Sequence, residues 1–204
     1  RIYLADDDYG LVVGQDDIWE TFYPQSPFTD DTRRADANNG ELWLAHGRLF
    51  SNFDNTFSDE SSSGLTESGW VQSAPALEEL DIRDIVDILI DPIDPDKIHL
   101  ASFLSGLVTY TKSEDNYTLS NSSTDLNSLE PSSLLESRTQ AGSIAADISG
   151  NIWVTNSYTS NGWKVRNPQG EWTALGCPGV LGPTTLYGDM AITEQGQTWT
   201  ILPR

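Results

Sequence analysis

Cysteine and histidine are scarce in this chain, which has one Cys (Cys177) and two His (His46 and His99) in 204 residues. A single cysteine excludes an internal disulfide and any zinc site built on paired cysteines. With so few histidines, a transition-metal cluster is also disfavoured. No apolar run of about 18 residues occurs, so no part of this segment is expected to span a membrane. These scarcities exclude most metalloenzyme functions.

Positive charge is scarce as well, with 11 Lys and Arg against 31 Asp and Glu and a net charge of −20. Nucleic-acid binding needs clustered Lys and Arg, so it is disfavoured. Such acidity favours solubility first and divalent-cation binding second. No Gly-x-Ser-x-Gly motif and no P-loop occurs, and the sequence therefore predicts no enzyme. A carboxylate pair for glycoside chemistry stays open, although no spacing points to one.

Turn residues and aromatics are abundant, with 16 Gly, 10 Pro, 7 Trp, 7 Tyr and 6 Phe. This composition predicts many short strands joined by tight turns. The chain begins with Arg1 rather than Met and shows no signal peptide. We interpret it as a processed product or as part of a longer protein.

An internal repeat organises the chain. The segments "NNGELWLAHG" (38–47), "ISGNIWVTNS" (148–157) and "EQGQTWTILP" (194–203) each place a turn glycine three residues before a tryptophan. The aligned positions are Gly40, Gly150 and Gly196, followed by Trp43, Trp153 and Trp199. "DPDKIHLASF" (94–103) fits with His99 in the tryptophan position, and "RIYLADD" (1–7) fits with Tyr3. The five positions lie 40 to 56 residues apart, as in four-stranded propeller blades.

The sequence therefore predicts an all-β fold: a β-propeller, or an arc of one, with about four to five four-stranded blades that form part of a larger ring. The expected units are a partial blade at 1–24, blades at about 32–74, 84–121 and 142–176, and a partial blade at 187–204. Because the last unit lacks its outer half, we expect the chain to be a fragment. The repeated tryptophan is expected to fill the space between blades, so Trp153→Ala should cost about 3–5 kcal/mol.

One segment conflicts with the repeat. "APALEELDIRDIVDILI" (74–90) has leucines and isoleucines near helical spacing. The register of the repeat favours a strand from about Ile85, and we predict that strand.

Several motifs resemble known propellers. Asp147, Gly150, Asn151 and Trp153 match the consensus Asp-x-x-Gly-Asn-Leu-Trp of the two-component-regulator propeller repeat. The other two units have Ala37 and Thr193 in place of the aspartate. The longer runs "VDILIDPIDPDKIHLASFLSGLVTYTKSEDNYTLSNSSTDL" and "WKVRNPQGEWTAL" resemble the N-terminal propeller of PorZ-like proteins of the Bacteroidetes type IX secretion system. The likeness covers nearly the whole chain except roughly 48–80.

This resemblance implies a non-enzymatic binding and assembly component, periplasmic or at the outer membrane or cell surface, that helps attach lipopolysaccharide to secreted cargo. The expected partners are a glycan or lipopolysaccharide, or protein components of a secretion or sensing system. The alternative is the extracellular carbohydrate-sensing propeller of a hybrid two-component sensor kinase. No cofactor is implied, although Ca²⁺ is possible.

The candidate ligand residues lie where second and third strands join, because loops of that class gather at one face of a propeller. His46 and Arg48 suit an anionic sugar, with a plain surface histidine as the alternative. Amide, hydroxyl and aromatic groups in the equivalent loops suit carbohydrate. These are Ser102, Ser105, Asn156, Tyr158, Asn161 and Trp163. Trp163 fits the core between blades equally well.

Three acidic residues, Asp6, Asp7 and Asp8, are weak Ca²⁺ candidates, because they lack the spacing of an EF-hand loop. Asp147 is expected to cap its turn. His99 is expected to be a packed, hydrogen-bonded histidine.

Overall fold

The structure, a computed structural model, describes residues 1–6, 10–15, 18–22, 26–73, 80–177 and 179–203. These ranges contain seventeen strands and no helix. The first sheet has β1 (Ile2–Asp6), β2 (Gly10–Gln15) and β3 (Ile18–Phe22). The second has β4 (Arg34–Asn38), β5 (Glu41–Ala45), β6 (Ser62–Thr66) and β7 (Gly69–Ser73). The third has β8 (Ile85–Ile90), β9 (Lys97–Ser102), β10 (Gly106–Thr111) and β11 (Asn116–Ser120). The fourth has β12 (Ala141–Ala146), β13 (Ile152–Asn156), β14 (Trp163–Arg166) and β15 (Trp172–Leu175). The fifth has β16 (Met190–Ile192) and β17 (Thr198–Thr200).

The sheets form an arc of a β-propeller. Within each sheet, consecutive strands pair antiparallel in chain order. The first strands of the second to fifth sheets, β4, β8, β12 and β16, lie next to one another in sequence order. This all-β propeller arc confirms the predicted fold class. The expected strand at Ile85 is also confirmed, while residues 74–79 of the conflicting segment lie outside the described residues.

The turn glycines of the repeat share one backbone conformation. Gly40, Gly150 and Gly196 have φ of 80°, 78° and 78°, in the left-handed region that glycine enters without steric cost. Asp147 caps the turn before Gly150, as expected: its Oδ1 accepts from the N–H groups of Ser149 (2.9 Å) and Asn151 (3.0 Å). These local contacts explain why turn and strand recur together.

The core between the second and third sheets is built around Trp43, which is fully buried. Trp43 belongs to one buried hydrophobic cluster with Ile88, Leu100 and other apolar side chains of the third sheet. Tyr110 packs against it with ring centroids 6.0 Å apart. Trp43 therefore fills the space between two blades, as predicted. The cost of about 3–5 kcal/mol for replacing a repeat tryptophan by alanine is expected in full at Trp43.

Among the described residues Trp199 fills no space between blades, and Trp153 fills one only in part. Trp153 is half-buried and lies on the same face of the fourth sheet as Trp163. The fifth sheet, which packs on that side, has two strands of three residues. Thr200 points towards the fourth sheet, where it accepts a hydrogen bond from Trp163. Because successive strand residues alternate between faces, Trp199 points the other way, and 66% of its surface is exposed.

Side chains on the first strands of the sheets bind the backbone of the next sheet, a feature that we call the inner-strand bonds. Asp36 accepts from the N–H of Ile90 at 2.7 Å, which joins β4 to β8. Asp87 accepts from the N–H of Ile144 at 3.0 Å, which joins β8 to β12. Ser143 accepts from the N–H of Met190 at 3.1 Å, which joins β12 to β16. These bonds join each blade to the next through neighbouring first strands.

Candidate functional site

The long connections of the arc meet at one edge of the sheets, which we call the loop face. In a meander of antiparallel strands, successive turns fall at opposite edges. One edge carries short hairpins such as 39–40 and 67–68. The loop face carries the connections between second and third strands and those between sheets. Among the described residues these are 26–33, 46–61, 80–84, 103–105, 121–140, 157–162, 176–177 and 179–189.

Asn55 is the centre of a buried network at the loop face. Only 4% of its surface is exposed. Its Nδ2 donates to Asp84 (2.9 Å) and to the carbonyl oxygen of Phe103 (2.7 Å). Its Oδ1 accepts from Nη1 of Arg138 at 2.8 Å. One amide side chain thus ties together loops from the second, third and fourth sheets.

Asp84 fixes the conformation of the long 46–61 loop. Its carboxylate is fully buried and accepts from the hydroxyl of Thr56 (2.9 Å) and from the N–H groups of Phe57 (3.1 Å) and Ser58 (2.9 Å). Such bonds compensate for burying a charge. Asp84, the residue directly before β8, therefore holds the segment 56–58 in place.

Backbone strain is concentrated at the loop face. Eight described residues other than glycine have positive φ, and six of them lie in loop-face connections. The six are Phe53, Phe57, Asp81, Asp84, Asn127 and Tyr158. For aromatic residues this conformation is costly, and residues held in it cluster at ligand and switch sites. Strain and the buried network thus point to the same part of the molecule.

A cleft of about 580 Å³ opens beside the network, and we call it the arginine cleft. Its volume lies in the range of small-molecule sites. The apolar lining comes from Phe57, Leu80, Leu104 and Leu119, and the polar lining from Asp81, Arg83, Ser105, Asn121, Ser137, Arg138 and Thr139. The cleft therefore combines apolar walls with hydroxyl, amide and guanidinium groups.

The two arginines of the cleft are held differently. The guanidinium carbon of Arg138 lies 5.0 Å from the centre of the Phe57 ring, and Asn55 binds its Nη1. Arg83 binds Asp81 through its Nε at 2.8 Å and is partly exposed. In a chain of net charge −20, few clefts carry two cationic side chains; a second one, lined by Arg33 and Arg48, also contains Asp31, which pairs with Arg48.

The structure contradicts both predictions for His46, which were a ligand-binding residue and a surface histidine. It is neither at the surface nor open to a ligand, since only 2% of it is exposed. Its Nδ1 lies 3.0 Å from the carbonyl oxygen of Asp31 and its Nε2 lies 2.7 Å from the hydroxyl of Ser63. Arg48 is exposed and forms ion pairs with Asp31 and with Glu60 (3.2 Å). Neither residue lines the arginine cleft.

The predicted serines form a turn. Ser102 is fully buried, donates to the carbonyl oxygen of Arg83 (2.6 Å) and accepts from the N–H of Ser105 (2.9 Å). Ser105 itself lines the arginine cleft. Of the eight residues predicted for ligand contact, it is the one that does so among the described residues.

The predicted residues of the fourth sheet have other partners. Asn156 is fully buried, and its amide bonds the backbone of Glu130 (2.7 and 3.1 Å). Trp163 packs edge-on against Tyr187, with centroids 6.1 Å apart, and donates to Thr200 of β17, so it belongs to the contact with the fifth sheet. Tyr158 is half-buried and Asn161 is exposed. These four residues are not brought together in one cavity.

His99 is the packed histidine that the sequence predicts. It is fully buried, with Thr109 and Asp91 each 2.9 Å from a ring nitrogen. Asp7, Asp8 and the side chain of Asp6 lie outside the described residues, so a calcium site there stays a prediction. Within the described ranges, no group of three or more His, Cys, Asp or Glu side chains is placed to hold a metal ion.

Sequence reasoning missed Asn55, Asp84 and Arg138. A signal was present for the arginines. Arg33, Arg83 and Arg138 each stand one to three residues before the first strand of a sheet. This recurring position places a cation at the loop face of three consecutive blades.

No protein-family model and no curated protein sequence matches the chain. Among solved structures, PorZ of Porphyromonas gingivalis, an essential bacterial surface component of the type-IX secretion system, matches with a TM-score of 0.70. The chain shares its fold with PorZ. The match has 19% identity and covers 97% of this chain and 27% of PorZ, so the chain spans about a quarter of PorZ. The sequence-based resemblance is thus confirmed at the level of fold.

Two further structures share the fold. One is the extracellular domain of a protein assigned to a hybrid two component system of B. thetaiotaomicron, with a TM-score of 0.54 and 13% identity over 79% of this chain and 21% of that one. The other is XC5397, a gluconolactonase of Xanthomonas campestris, with a TM-score of 0.52 and 11% identity over 96% of this chain and 66% of that one. At these identities the similarity shows architecture alone. Within the described residues, no helix is long and apolar enough to cross a bilayer.

Proposed function

We propose that this chain is the ligand-binding part of a periplasmic or cell-surface propeller protein, and that the arginine cleft binds a glycan. The observation that carries the proposal is the cleft itself, which joins apolar walls to Arg83, Arg138, Ser105 and Asn121. Sugar rings have apolar faces and hydroxyl edges, and such a lining suits both. The PorZ-like fold supports a role in type IX secretion, with lipopolysaccharide or a protein component of the system as the assembly partner.

We propose binding rather than catalysis because of the acidic groups at the cleft. Asp81 is the one carboxylate among its lining residues, and it is paired with Arg83. Glycoside hydrolysis commonly uses two carboxyl groups on opposite sides of the scissile bond. Measurable turnover of any bound glycan, abolished by Asp81→Asn, would overturn this part of the proposal.

A second candidate is a carbohydrate sensor. The similarity to the extracellular domain from a two component system favours it. The same cleft would then report a bound sugar to a kinase. The two roles differ in what accompanies the propeller in the intact protein: a membrane helix and kinase for the sensor, or an immunoglobulin-like sorting domain for the secretion component.

The direct test is a glycan-array and lipopolysaccharide screen of the 204-residue chain. Ser105→Trp should fill the cleft and abolish binding. Ser68→Trp places the same indole in an exposed hairpin at the opposite edge and should leave binding intact. A folded protein that binds no glycan, or a Ser105→Trp variant that binds as well as the original, contradicts the proposal.

A further inference from the structure

We infer that the arginine cleft selects acidic sugars, and that Arg138 binds the carboxylate of a uronic-acid residue. The inference rests on the proposal that the cleft is a glycan site. It adds the chemical class of ligand and the side chain that recognises it. Three features point to this ligand: Arg138 has no acidic partner, its guanidinium is held in place, and the surrounding charge is negative.

Arg138 has no acidic partner in the part of the chain that the structure describes. Six other cations of the described residues contact a carboxylate, among them the second arginine of the cleft, Arg83, which contacts Asp81. Within the same residues Arg1, Arg33 and Arg166 form no ion pair either, but none of them lines this cleft. The hydrogen-bond partner of the Arg138 guanidinium is the neutral amide of Asn55. With 31 acidic residues available, a guanidinium left without one at a cleft is a ready site for an external anion.

The guanidinium of Arg138 is also held in advance. Asn55 occupies one of its five N–H donors, and the Phe57 ring lies 5.0 Å from its central carbon. The backbone of Phe57 is itself held, with φ of 58° and its N–H bonded to buried Asp84. The remaining donors are therefore presented in a defined plane. Two carboxylate oxygens match such a planar fork.

The charge around the cleft favours a carboxylate over a phosphate. The lining includes Asp81, and the whole chain has a net charge of −20. This field penalises a doubly charged group more than a singly charged one. Apolar Leu104 and Leu119 can pack on the face of a sugar ring, while Ser105 and Asn121 can bind its hydroxyls. An acidic saccharide meets all of these features together.

The test is calorimetric titration of the 204-residue chain with oligogalacturonate and oligoglucuronate, each beside its neutral methyl ester. We expect the acids to bind about 10- to 100-fold more tightly than the esters, the range of a charge-assisted hydrogen bond. Arg138→Gln should remove this difference. Lys97→Gln removes one positive charge at the opposite edge, where Lys97 pairs with Asp94, and should preserve it.

Two further arms separate the possible failures. Arg138→Lys keeps the charge but not the fork, so selectivity for the acid should fall, and equal selectivity would overturn the bidentate contact. If Arg138→Gln does not fold, the comparison of acid with ester on the unmodified chain decides.

Esters that bind as tightly as acids, and whose binding is blocked by Ser105→Trp, overturn the acidic specificity and leave the proposed function standing. Sugar phosphates that bind more tightly than uronates also overturn it, and no binding of any saccharide overturns both.

Discussion

Gly64 shows how closely one residue of the core constrains another. It lies opposite Trp43 in the pairing of β5 with β6. A Cβ atom at Gly64 would lie 2.6 Å from the indole, which is fully buried and cannot move aside. Packing at this contact, rather than a turn, therefore requires glycine there.

We expect Gly64→Ala to lower the free energy of unfolding by about 1–3 kcal/mol, as overpacking of a filled core does. Urea denaturation followed by tryptophan fluorescence measures it. Gly182→Ala is the matched control, because a Cβ there meets no atom within 4 Å, and it should change stability by less than about 0.5 kcal/mol. Equal effects of the two substitutions would disprove the packing of Trp43 against β6.

Asp91 links residue chemistry to pH. Burial alone raises the pKa of Asp91, but hydrogen bonds from His99 and from the N–H groups of Asp94 and Ile93 more than reverse this and leave the pKa at about 2. In the unfolded chain an aspartate titrates near pH 4. Between these values the unfolded state binds more protons, so stability falls as the pH falls.

We predict that the stability contributed by the Asp91 carboxylate is fully present above about pH 4 and is lost as the pH falls towards about 2. Asp91→Asn removes this titration. The difference in unfolding free energy between the original chain and the variant should therefore shrink over that interval in urea titrations. A difference that stays constant with pH would mean that the His99 contact does not stabilise the ionised carboxylate.

Among the structural elements, the inner-strand bonds decide how blades are joined. Ser143 donates to Asp87 at 2.6 Å and accepts from the N–H of Met190 at 3.1 Å, so one hydroxyl connects three sheets. Asp87 has 8% of its surface exposed, and burial raises its pKa although Ser143 and backbone N–H groups oppose the shift. Loss of the hydroxyl leaves a buried carboxylate and a backbone N–H with fewer partners.

Ser143→Ala should destabilise the chain by about 1–3 kcal/mol, the cost of leaving buried polar groups unpaired. It should also speed hydrogen exchange at the Met190 amide. Ser128→Ala is a suitable control, since Ser128 is equally buried but bonds only Asp125 within its own connection. Unchanged exchange at Met190 in Ser143→Ala would show that the fifth sheet is held by other contacts.

The elements that sequence could predict are those specified locally. Asp147, Gly150 and Trp153 lie within seven residues, and their spacing alone encodes a turn and a strand. The bond from Arg138 to Asn55 spans 83 residues, and Asn55 lies in the stretch that the resemblance did not cover. His46 was misplaced for the same reason, because Asp31 and Ser63, 15 and 17 residues away, enclose it. Contacts of this range follow only from the folded arrangement of blades.

For the molecule as a whole, the dominant electrostatic feature is self-repulsion. The net charge is −20, and ion pairs such as Lys97 with Asp94 and Arg48 with Glu60 lie at exposed positions where they contribute little. Repulsion among unpaired carboxylates destabilises the compact state. The arginine cleft is a small region in which two positive side chains, Arg83 and Arg138, partly offset the negative charge of the chain.

We therefore predict that sodium chloride stabilises the chain at neutral pH. Between about 0.01 M and about 0.1 M salt, the screening length shrinks from about 30 Å to about 10 Å, and repulsion across the molecule weakens more than contacts at hydrogen-bond distance. The melting temperature from calorimetry should rise over this range. Near the isoelectric point of about 4.1 the net charge vanishes, so the rise should disappear. A melting temperature that falls with salt at neutral pH would show that the ion pairs outweigh the repulsion.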